Sequence, residues 1–207
     1  MQKLLLAFLT VCVALGVPAQ SNSTTAQSVG DWLPRTGTVY VAEDDSKSTP
    51  PIQLHAAEPH WNTHPGSNFA RAQVFKGPQS SLELKGLNAP AHVASTRPVL
   101  YVRLGSDDPE LLRRRLHLIQ LDQVKDARVV LVFSQNVFGG QREKKYKDIA
   151  VAKTDAEPDV WLKVTPDAPL APGEYGLVSM PSDPSLLPDV VYDFDVAFLE
   201  GKPEAKK

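Results

Sequence analysis

The sequence predicts an all-β protein: an Ig-like, Greek-key β-sandwich of about 7–10 strands, with one short helical segment near Asp108–Arg115. Three observations point there. Short apolar runs with period-two alternation recur along the chain, separated by turn residues. Proline is enriched, at 18 of 207 residues, against an average near ~5%, and proline breaks helices and ends strands. Between two apolar runs lies "PLAPGEYGL", residues 169–177. There Pro172-Gly173 makes a turn, and Tyr175 follows where its hydroxyl can reach back to an upstream backbone group, as in a tyrosine corner. Pro172, Gly173 and Tyr175 are therefore read as a structural corner.

The elements follow in order. "GTVYVAE" places Val39 and Val41 on one face and Tyr40 on the other, and "DDSKSTPP" is a turn cluster. "IQLHAAE" alternates again, predicting a hairpin over Thr38–Ala57. "FARAQVFKG" and "SSLELKGL" read as strands, and "RPVLYVRLG" as a buried one. Asp108 as N-cap with Pro109 behind it starts a helical turn or two. Strands follow at about Leu116–Leu121 and Arg128–Phe133. "SQNVFGGQREKKYK" reads as a charged loop and "DIAVAKT" as a strand. "DVWLKVTP", "EYGLVSM" and "VVYDFDVAF" then stand where strands E, F and G of such a sandwich would fall.

The last of these segments carry a resemblance. "LAPGEYGL" followed by "VVYDFDV" resembles the C-terminal half of a group of uncharacterised secreted bacterial proteins with a Leu-x-Pro-Gly-Glu-Tyr turn and a final Tyr-Asp-Phe strand. "FKGPQSSLEL", "PVLYVRL" and "DPELLRRRLHLIQL" resemble the same group, so the likeness covers most of Gly37–Phe198. It implies an exported β-sandwich and no known activity.

The first residues have the layout of a secretory signal peptide: Lys3, an apolar run from Leu4 to Val17, then Val17-Pro18-Ala19. The expected organisation is a signal peptide at 1–19, a disordered lead-in at 20–36, one sandwich domain at 37–199 and a disordered charged tail at 200–207. Cleavage after Ala19 would remove Cys12, the single cysteine, leaving no disulfide, thiolate ligand or cysteine nucleophile. It would also leave no membrane span, and the product is expected in the periplasm or outside the cell. A net charge of −2 disfavours nucleic acid, which requires a concentrated positive face.

Chemistry-bearing residues are few. His55, His60 and His64 lie within ten residues, with Glu58 between them. Imidazoles and a carboxylate suit Zn or Cu, although Pro59 rules out a helical His pair, and the plainer reading is a polar loop. Trp61 and Trp161 could stack on a sugar, while core is the commoner fate of a strand tryptophan. Arg113-Arg114-Arg115 could face an anion or be a solvated edge. There is no nucleophile elbow, phosphate loop or dinucleotide motif. The expectation is a non-enzymatic interaction or accessory module at the envelope, with an unknown protein partner and no cofactor. The alternatives are a glycan or small-ligand binder, and a metal-binding protein.

Overall fold

The computed structural model describes residues 32–34, 36–64, 79–105, 108–134, 143–158, 160–183 and 185–197. The expected strand at 69–77 and both chain ends lie outside them. The elements are β1 (Val39–Ala42), β2 (Ile52–Gln53), β3 (Ala56–Ala57), β4 (His60–Asn62), β5 (Gln79–Lys85), β6 (His92–Val93) and β7 (Val99–Arg103), then α1 (Pro109–Arg115). They continue with β8 (Leu116–Val124), β9 (Ala127–Ser134), β10 (Glu143–Lys145), β11 (Lys147–Ile149), β12 (Val151–Glu157), β13 (Trp161–Pro166), β14 (Gly173–Ser179) and β15 (Val191–Val196). The protein is an all-β sandwich with one short helix. A five-stranded sheet, β12-β13-β7-β1-β2, packs on a ten-stranded one whose main path is β3-β15-β14-β8-β9-β5-β4.

The larger sheet curls on itself. β3 and β4 end its seven-strand path, yet only Glu58 and Pro59 separate them in the chain. Laid flat, strands ~4.8 Å apart would put those ends about 29 Å from each other, whereas the link spans at most about 11 Å. The path therefore bends into a barrel-like ring. Leu82, Leu84, Ile119, Leu121, Leu131 and Val191, from β5, β8, β9 and β15, fill it as one apolar cluster. A bulge between Leu82 and Glu83 opposite Val129–Leu131 helps the turn, leaving both Val130 and Leu131 buried.

A second apolar interior lies between the two sheets, built from Val39, Val41, Leu100, Leu162, Leu177 and Phe194. Tyr40, Tyr101 and Trp161 point to the opposite face of the small sheet, where Trp32 and Leu33 cover them. Ordered packing thus reaches back into the stretch read as a lead-in.

There are more strands than the expected 7–10 because several break where the chain changes sheets. The predicted hairpin over Thr38–Ala57 holds for β1 and β2, which pair Tyr40 with Gln53. Leu54–His55 then ends it, and Ala56–Ala57 pairs with β15 in the other sheet. "DIAVAKT" breaks at Ala150 in the same way, with β11 joining β8 and β12 joining β13. Part of the expected charged loop is also strand, since Glu143–Lys145 pairs with β9. The chain crosses from β13 in the small sheet to β14 in the large one through the Pro172-Gly173 turn. Gly173 has φ +151°, and Tyr175 Oη donates to Ala171 O at 2.7 Å, fixing the corner as the turn chemistry predicts.

Candidate functional site

Where the two sheets part at one end, they leave an open groove of about 880 Å³. Val39 and Val102 line it from the small sheet, Leu116, Leu177 and Tyr192 from the large one, and Leu112 and Arg115 from α1. The segment after β14, with Pro181, Leu186, Leu187 and Pro188, forms the remaining wall.

Local chemistry fixes these walls. Asp108 accepts from the backbone N–H groups of Glu110 and Leu111 at 3.0 and 3.3 Å, and Pro109 opens the helix. Lys153 of β12 donates to the carbonyls of Arg113 and Leu116, both at 2.6 Å, and so caps the helix's last turn. Burial lowers the pKa of Lys153. Arg113 pairs with Asp155 and Glu110. α1 is thereby clamped to the small sheet's edge strand, with Leu112 and Arg115 turned to the groove. The opposite wall is held at three points. Asp183 accepts from Ser185 N at 2.7 Å, Lys144 Nζ donates to Leu186 O at 2.6 Å, and Arg115 Nε donates to Ser182 Oγ at 2.9 Å. At the rim Tyr192 Oη and Thr38 Oγ1 share a hydrogen bond of 3.0 Å.

The histidines do not gather as a three-imidazole site. His55 is exposed between β2 and β3, while His60 and His64 lie on and just after β4. Both of the latter approach Glu83 of β5, His64 Nε2 at 3.2 Å and His60 Nε2 at 4.0 Å. Ser81 Oγ lies 2.5 Å from His64 Nε2 and donates to Glu83, which also accepts from Asn62 at 3.0 Å. Among the described residues no group of three or more His, Cys, Asp or Glu is placed to hold a metal ion. Nor do Ser81, His64 and Glu83 form a proton relay. Hydroxyl and carboxylate meet the same imidazole nitrogen, whereas a relay needs them on opposite ones. Burial alone would raise the Glu83 pKa. Hydrogen bonds from Ser81 and Asn62, with His64 and His60 nearby, outweigh it and hold the carboxyl below its ordinary range.

The two tryptophans separate. Trp161 is 3% exposed and packs edge-on against Tyr40. Trp61 is 41% exposed, with one face tilted onto Phe133 at 4.9 Å. Trp161 is buried, so the two offer no shared exposed platform.

The groove itself was not evident in the sequence. Its lining comes from five separated segments, most of them reading as ordinary strand residues. Only the placement of Arg115 at the end of a capped helix gave a local signal. Comparisons with protein-family models, with curated proteins and with solved structures gave no match.

Proposed function

We propose that the protein is a non-enzymatic interaction module, exported to the cell envelope, that holds a ligand with an apolar body in the groove between its sheets. The groove carries this reading. Its volume falls within the ~300–1,000 Å³ common to ligand sites, and its walls are more apolar than polar, with Arg115, Arg103 and Asp189 as the charged groups among them. Export rests on the layout of residues 1–19, and the recovered mature chain should begin at Gln20.

The test is titration with N-phenyl-1-naphthylamine, a neutral apolar fluorophore. Wild-type protein should give saturable enhancement, and Leu112→Glu should abolish it with a cooperative melt retained, because Leu112 is only partly buried where it meets the core. Absence of saturable binding, or binding lost on Trp61→Ala and kept in Leu112→Glu, would overturn the assignment.

A further inference from the structure

We infer that the ligand is an anionic amphiphile: an acyl-like chain lying along the apolar walls, with its carboxylate or phosphate head on Arg115. This rests on the groove being the binding site.

The charges around the groove carry the inference. Arg115 lines it, and its Nε is tied to Ser182 Oγ at 2.9 Å. That bond orients the guanidinium while leaving its two Nη groups available. Among the described residues no carboxylate pairs with Arg115. Its neighbour Arg113 pairs with Asp155 and Glu110, and Arg128 with Glu174 and Asp193. Elsewhere the fold neutralises its partly or fully buried guanidiniums; at the groove it leaves one fork oriented and without a counter-ion. The other charges lining the groove are Arg103 and Asp189.

A planar guanidinium fork matches the two oxygens of a carboxylate or phosphate, and such charge-assisted pairs are about twice as strong as neutral ones. Around Arg115 the groove exposes the apolar side chains of Leu112, Leu186, Leu187 and Tyr192, over a floor of Val39, Val102, Leu116 and Leu177 that is 5% exposed or less. A head that pairs with the fork thus places its tail on apolar side chains, where burying methylenes adds affinity. A glycan lacks the apolar body, and a neutral hydrocarbon leaves the fork unused.

The experiment is calorimetric titration of the full mature chain with dodecanoate, dodecyl phosphate and dodecanol, each below its aggregation concentration. The two anions should bind about tenfold or more tighter than the alcohol. Arg115→Gln should cost the anions about tenfold and leave dodecanol unchanged, and Arg115→Lys should fall between. Leu112→Glu should weaken all three. The ratio of dodecanoate to dodecyl phosphate affinity distinguishes the two head groups. Equal binding of alcohol and anions, indifferent to Arg115→Gln, would overturn the head-group assignment while leaving the groove intact. No binding of any of the three would overturn both. Melting temperatures within a few degrees of wild type confirm that each variant is folded.

Discussion

The protein has two apolar interiors, and they end differently. The barrel-like interior of the large sheet is closed by a buried ion cluster. Arg128 donates to Glu174 and Asp193, all three side chains being 5% exposed or less. It also donates to Gly86 O at 3.1 Å, while Ala89 N and Gln123 donate to Glu174. The interior between the sheets ends instead in an open groove, where Arg115 is oriented and has no carboxylate partner among the described residues. A charge needed by the fold is surrounded by partners, because an unpaired buried ion is costly. Arg115 ties the wall through Ser182 with a single hydrogen bond to a neutral hydroxyl, which needs no charge, so its unneutralised charge at the mouth of an apolar groove is the part we assign to binding.

That contrast can be broken first at Arg128. Arg128→Met leaves two buried carboxylates without their cation and should cost about 3–5 kcal/mol, read as a lowered denaturant midpoint. A cost near zero would mean that the cluster is solvated and the barrel end is not closed. Packing in the barrel should be the next most sensitive. A Cβ on Gly176 would meet Val191 Cγ1 at 2.7 Å, so Gly176→Ala should destabilise by about 1–3 kcal/mol.

The two buried glutamates sharpen the comparison through pH. Burial raises the Glu174 pKa, against the lowering effects of Ala89 N–H and Arg128, whereas that of Glu83 is lowered. A lowered folded-state pKa contributes stability that is present above the unfolded value, about 4.3, and lost as pH falls through the folded one. A raised pKa has the opposite sign, so Glu174 favours folding on acidification. Glu83→Gln should therefore make the loss of melting temperature below about pH 4.3 shallower. An unchanged acid limb would show that the His60–His64–Glu83–Ser81 network contributes nothing to stability. The smallest effect is expected at the groove, where Arg115→Gln should change stability by no more than ~0.5 kcal/mol.

Features decided by local chemistry were legible in the sequence. Asp108-Pro109 marked the helix start, Val39 and Val41 against Tyr40 set the faces of β1, and Pro172-Gly173 with Tyr175 fixed the corner. What was missed depends on which strands become neighbours. Leu54 and Ala150 look like interior residues of continuous strands, and nothing local marks the sheet change that occurs at each. Glu83 gives no hint that it will lie beside His60 and His64, since that follows only from β4 pairing with β5, which sets His60 opposite Glu83 and lets Asn62 donate to it from 21 residues away. The partner histidine expected from spacing, His55, instead went with the chain toward β3. Alternation put Trp161 on the face opposite Leu162 and Val164 without saying whether that face is covered, and the cover supplied by Trp32 and Leu33 makes it core.

The most direct test of the contrast is an amide chemical-shift map of labelled protein titrated with dodecanoate. Shifts should concentrate at Thr38–Val39, Leu112–Leu116, Leu177–Ser179 and Leu187–Tyr192, with Arg128, Glu174 and Asp193 unmoved. Saturable shifts centred on the Arg128 cluster or on Trp61, with the groove silent, would contradict it.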